Sequence, residues 1–133
     1  MKTLPDYLEP GLDIVFVGIN PGEYSACVGH YFANPRSRFW DAVNQSGLFD
    51  EPLGFESDYR LLEIGIGLTD VVKRPTSSPR KLRAADYRQW APVFKERIER
   101  VSPLIVCFLG KTACSKYLKY CEGVDSSPEP GIQ

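Results

Sequence analysis

The sharpest change from apolar to polar character falls near the amino terminus, where Ile14-Val15-Phe16-Val17 gives way to Gly18-Ile19-Asn20-Pro21-Gly22. An unbroken apolar run with β-branched members, closed by turn residues, predicts a fully buried strand over 13–19. Strands of this kind belong to parallel sheets covered on both faces. Further along, Phe39, Trp40 and Val43 share one face of a helix that starts near Ser37 and stops at Gly47. Ser57-Asp58 caps a short helix that runs through Leu61 and Leu62 to Gly65. Ile66, Leu68, Val71 and Val72 form a second strand-like stretch. From Asp86 the apolar positions Tyr87, Trp90, Phe94, Ile98 and Val101 recur at spacings of three and four. They predict an amphipathic helix ended by Ser102-Pro103. Residues 104–109 read as another buried strand, Gly110-Lys111-Thr112 opens a last helix, and 126–131 has linker composition. Alternating strands and helices predict a three-layer α/β/α sandwich with a mainly parallel sheet.

Open α/β sheets place their ligand crevices at the carboxyl ends of the strands. The turn after the first strand therefore presents Asn20 at a crevice, stiffened by Pro21, with Gly18 and Gly22 allowing close backbone approach. Asn-Pro-Gly taken alone is equally a good turn sequence. The long loop 20–36, rich in glycine and aromatics, suggests a working segment. Asp70 ends the second apolar stretch and is directed toward the same crevice. It has two readings, a general base or charge stabiliser and a structural cap.

Two further motifs are excluded. Gly110-Lys111-Thr112 resembles the tail of a phosphate-binding loop, but the upstream glycine falls at Ile105. Gly18-x-Asn20 departs from the dinucleotide fingerprint, so no nicotinamide cofactor is expected.

The blocks Gly18-Ile19-Asn20-Pro21-Gly22 and Gly29-x-x-Phe32-Ala33-x-Pro35-x-x-Arg38-Phe39-Trp40 closely resemble the mismatch-specific uracil/thymine-DNA glycosylases of the uracil-DNA glycosylase superfamily. The resemblance continues through 67–76 and through Leu109-Gly110-Lys111. It implies a monofunctional repair glycosylase that removes uracil, and thymine or alkylated pyrimidines, from mispairs with guanine in double-stranded DNA. It further implies that Asn20 orients the attacking water and that Phe32 stacks on the flipped base. Gly18, Ile19, Pro21, Gly22 and Tyr31 would complete the base pocket. His30, the one histidine, is read as a polar loop residue. Relatives continue into another strand and a duplex-entering loop that residues 122–133 do not match. The expectation is one domain over 1–133 whose C-terminal strand is missing. The alternative function is a non-catalytic α/β base-binding domain without the inserting loop, and an unrelated flavodoxin-like domain is weaker still.

Composition adds little to this. A net charge of −1 over 133 residues gives no bulk attraction to nucleic acid, so a DNA footprint must be local. Lys73, Arg74, Arg80, Lys81 and Arg83 form a cationic cluster with no acidic residue between Val71 and Ala85. Interleaved with prolines and hydroxyls, it is the candidate DNA-backbone contact. The four cysteines, Cys27, Cys107, Cys114 and Cys121, form no Cys-x-x-Cys pair. No iron–sulfur cluster, metal or other cofactor is expected. With no apolar stretch of signal or membrane length, the expectation is a cytoplasmic protein without membrane contact; a monomer is expected, associated with the nucleoid when it acts on DNA.

Overall fold

The computed structural model describes residues 2–126 and 128–131. Ser127, in the expected linker, and the last two residues lie outside this range. Three strands form a parallel sheet in the order β2-β1-β3, with β1 at Ile14–Gly18, β2 at Ile66–Asp70 and β3 at Ile105–Phe108. The helices are α1 (Glu23–Val28), α2 (Phe39–Gln45), α3 (Ala84–Val101) and α4 (Lys111–Cys121), with a 3₁₀ stretch over Phe55–Ile64.

The two-residue alternation of β1 sends its side chains into two separate cores. Val15 and Val17, both fully buried, face α3 and α4 together with Phe94, Tyr87, Val101, Phe108 and Tyr117. Ile14 and Phe16 face the other layer, where Trp40, Val43, Leu53, Leu61 and Leu68 pack. Each fully buried Val, Leu or Phe contributes about 1.5–3 kcal/mol by leaving water. This is the expected α/β fold with helices on both faces of a parallel sheet.

Four local expectations are corrected. The loop 20–36 contains α1, closed by Gly29 in the left-handed conformation (φ 88°). Asp58 does not cap a helix; it is fully buried and accepts the Tyr31 backbone N–H at 2.9 Å. The 3₁₀ stretch begins before it, at Phe55, and ends as expected at Gly65. Nor is the strand over 104–109 buried, since Leu104 is 81% and Ile105 55% exposed. Among the described residues β3 pairs only with β1. Val106 and Phe108 pack toward α4, but the core of the α2 layer includes no residue of β3.

The sequence pattern did not reveal how the amino-terminal segment is used. Tyr7 makes an antiparallel bridge to Leu68, with N–H to O distances of 3.0 Å in both directions, so residues around it cover the outer edge of β2. The approach is close enough to require Gly67, because a Cβ there would lie 2.6 Å from the Tyr7 carbonyl oxygen.

Candidate active site

The turn after β1 is zipped to the chain that follows β2. Val71 N–H donates to Gly18 O (3.0 Å), Val72 N–H to Ile19 O (2.9 Å) and Thr76 N–H to Pro21 O (3.2 Å). Over this frame Asn20 Nδ2 donates to the Arg74 carbonyl at 2.8 Å and to Thr76 Oγ1 at 2.9 Å. A carbonyl oxygen can only accept, so the amide nitrogen must face Arg74 and the carboxamide has one orientation. The Thr76 hydroxyl spends its proton on Ser78 O at 2.7 Å, which leaves a lone pair for Asn20. No described residue donates to Asn20 Oδ1, so that oxygen remains available to hold a water.

Arg74 is itself anchored. Its guanidinium grips Asp86 in a two-point fork, Nε–Oδ1 at 2.8 Å and Nη2–Oδ2 at 2.9 Å. Asp86, in the first turn of α3, also accepts the Arg83 N–H at 2.8 Å. The Arg74 hydrogen bond, then the Arg83 N–H, pull the Asp86 carboxyl down to about 2. Arg74 was a candidate phosphate contact. In the structure its fork is occupied by Asp86, and its carbonyl positions Asn20.

The loop 29–33 is held from several sides. Tyr31 donates its N–H to Asp58, accepts Trp40 Nε1–H on its carbonyl at 3.0 Å, and donates its hydroxyl to Pro5 O at 2.6 Å. Ala33 N–H reaches Ser25 Oγ at 3.1 Å. His30 Nδ1 lies 3.2 Å from Asp58 Oδ1. These bonds hold Phe32 at φ 55°, a conformation costly for a residue with a Cβ. Its half-buried ring stacks on Phe39, with centroids 4.0 Å apart and planes at 18°. Tyr31, by contrast, is only 2% exposed and belongs to the core beneath the loop. It was expected to line the pocket; it supports Phe32 instead. The Ile19 side chain packs with the α3–α4 core, on the sheet face opposite Phe32, so the pocket can use only its backbone.

Asp70 sits at the end of β2 in register with Gly18, 5% exposed. Its Oδ1 occupies the space over Gly18 where a Cβ would stand, 2.7 Å away. Its Oδ2 is buried without a hydrogen bond, the Lys73 ammonium being 3.6 Å distant. Burial is the main reason its carboxyl is pushed up to about 6. The Asp6 charge adds to the rise, while Lys73 and Arg97 oppose it. An ionisable group that titrates near neutrality at the sheet's carboxyl end suits proton transfer.

The structure removes Lys73 from the cationic DNA-contact set. It is 6% exposed, with its ammonium on Asp6 at 2.9 Å, so it cannot meet a phosphate. Arg80, Lys81 and Arg83 are exposed as the pattern suggested. Arg80 lines a groove of about 500 Å³ with Ile19, Ser78, Tyr87, Thr112 and Lys116, which joins the basic loop to the start of α4. The sequence pattern does not reveal the roles of Asp58, Asp6 and Arg97, nor the contact of Thr76 with Asn20. Their partners lie far away in the chain, and only Thr76 carried a local signal, through the 67–76 block.

The parallel α/β sheet thus carries an immobilised carboxamide and a buried carboxyl at its strand ends, with the stacked Phe32–Phe39 pair in the loop and helix that follow α1. The Uracil DNA glycosylase superfamily model matches residues 5–130 of the chain, which includes every residue of this site. The chain belongs to that superfamily, whose members are DNA glycosylases, hydrolases that act on DNA in base excision repair.

Proposed function

We propose that this chain is a monofunctional glycosylase that hydrolyses the N-glycosidic bond of uracil flipped out of a G·U mispair, with thymine or an alkylated pyrimidine as further substrates. The observation that carries the proposal is the fixed Asn20 carboxamide, with both N–H groups bound and Oδ1 free at the carboxyl end of β1. Oδ1 accepts a hydrogen bond from a water and aims it at the anomeric carbon. The C–N bond breaks through an oxocarbenium-like state and the base leaves as an anion. The new C–O bond forms as the ionised Asp70 takes the proton of the water, leaving an abasic site and free base. Phe32, backed by Phe39, supplies the flat surface against which an extruded base lies. The exposed cations Arg80, Lys81 and Arg83 contact duplex phosphates, and the protein acts as a monomer. A gel assay on a labelled duplex with a single G·U pair, read after alkaline cleavage, tests this. Strand scission at the uracil supports it, and intact strand at enzyme excess contradicts it.

A further inference from the structure

Four charged groups meet at the outer edge of β2: Asp6, Asp70, Lys73 and Arg97. Lys73 and Asp70 retain only 8% and 7% side-chain exposure, and Asp6 retains 26%. Lys73 Nζ has three oxygens within reach: Asp6 Oδ1 at 2.9 Å, the Tyr31 hydroxyl at 3.4 Å and Asp70 Oδ2 at 3.6 Å. The two carboxylates thus share one buried ammonium, and Asp6 holds the nearer place. Asp6 is itself fixed there. Thr69 Oγ1 donates to its Oδ1 at 2.7 Å, and Arg97 Nε lies 3.1 Å from its Oδ2. The Tyr7–Leu68 bridge fixes the backbone of this segment beside β2.

We propose that Lys73 keeps Asp70 ionised and that Asp6, by drawing the Lys73 ammonium to itself, opposes it, so that the amino-terminal segment sets the charge of Asp70. Lys73 and Asp6 are then positioning residues, which act on the site through Asp70. The inference rests on the reading of Asp70 as the base only for its consequence in catalysis; the charge relationship stands on geometry. Asp70 is faced by Lys73 from the turn after β2, by Asp6 from the amino-terminal segment, by Tyr31 from the loop after α1 and by Arg97 from α3. Burial and the nearby acids push the Tyr31 hydroxyl far up, so it stays protonated throughout. Arg97 Nη1 donates to Thr69 Oγ1 at 2.9 Å and to the Asp70 carbonyl at 3.3 Å. Of the charged groups facing Asp70, Lys73 and Asp6 compete most directly, since the Lys73 ammonium lies between the two carboxylates, and their removal changes the charge around Asp70 with opposite signs.

The test is a ¹³C NMR titration of the Asp70 carboxyl in the full chain, run beside the pH dependence of single-turnover excision. The variants are Lys73→Met, Lys73→Arg and Asp6→Asn. Loss of the ammonium in Lys73→Met should raise the Asp70 midpoint by about one pH unit or more, and Asp6→Asn should lower it; neighbouring charges act on this scale. Lys73→Arg should stay near wild type. Opposite shifts support the inference. An unmoved midpoint, or shifts of the same sign, overturns it, because a merely structural network has no reason to separate the two variants. Should Lys73→Met not fold, Asp6→Asn decides alone: a downward shift supports the inference, and none or an upward one overturns it. If the midpoints move in opposite directions but the acid limb of excision does not follow them, the charge relationship stands. In that outcome the role of Asp70 as base fails.

Discussion

Asp70 Oδ1 stands where a side chain on Gly18 would begin, 2.7 Å from the position of its Cβ. The two residues are partners in the β1–β2 register, so neither can move without disturbing the strand pairing. A Gly18→Ala variant must therefore displace the carboxylate. Excision is expected to fall by about 10²-fold, the scale of an ångström-sized misplacement of a catalytic group. Far-UV circular dichroism should remain that of the wild type. Unchanged single-turnover rates would show that Asp70 need not occupy this position.

Asn20→Ala should lower excision by about 10²–10⁴-fold, the range for loss of one catalytic donor or base. Asn20→Asp is the sharper variant. A carboxylate of the same shape cannot donate to the Arg74 carbonyl, so it loses the hydrogen bond that orients the native amide. It is expected to be impaired as well, although it keeps an acceptor for the water. A fully active Asn20→Asp enzyme would argue against the fixed carboxamide.

Asp70→Asn should change both rate and stability with pH. The folded carboxyl titrates at about 6, above its ordinary 3.8, so the folded chain holds this proton more tightly than the unfolded chain. Ionisation of Asp70 therefore removes stability as pH rises from about 4 to about 6. An asparagine escapes that cost. The variant is expected to be more stable than wild type by up to about 3 kcal/mol at pH 7, from about 1.4 kcal/mol per unit over a rise of about two units. The gain should fade toward pH 4. In wild type the excision rate should fall below about pH 6, and in the variant that acid limb should flatten. Thermal melts at pH 4 and pH 7 and a pH–rate profile check the two halves separately.

Neutralising Arg80, Lys81 and Arg83 together should weaken duplex binding irrespective of sequence. The slope of log affinity against log salt should drop by about one for each lost phosphate contact. Base discrimination should persist, since phosphate contacts position the protein and the pocket reads the base. Fluorescence anisotropy across a salt series measures both. Wild-type affinity and slope in the triple variant would place the DNA path elsewhere.

Local pattern was enough for the elements whose signal is local. The β1 run, the three- and four-residue periodicity of α3 and the Gly110 start of α4 appear in the structure within a few residues of expectation. Helix α1 was hidden because its six residues are too few to show a period among the glycines and aromatics around them. Exposure of β3 depends on which helices lie over it, and no pattern within the strand reports that. The same holds for charge. Lys73 and Arg74 look alike beside Arg80 and Lys81 in the chain, yet Asp6, 67 residues away, buries one, and Asp86 pairs the other. Asn20 and Phe32 stand out in the sequence because their turn and loop carry motif residues. The Asp58 and Ser25 contacts that hold the Phe32 loop do not, because they are single side chains with no pattern of their own.

If this site breaks a glycosidic bond, it does so through Asn20. The most direct measurement is single-turnover excision on a labelled duplex with one G·U pair, enzyme in excess, comparing wild type with Asn20→Ala and reading abasic sites by alkaline cleavage. Scission at the uracil by wild type and a loss of about 10²–10⁴-fold in the folded variant are expected. Equal scission by both proteins, or none by a wild-type chain that binds the duplex, would contradict excision through Asn20.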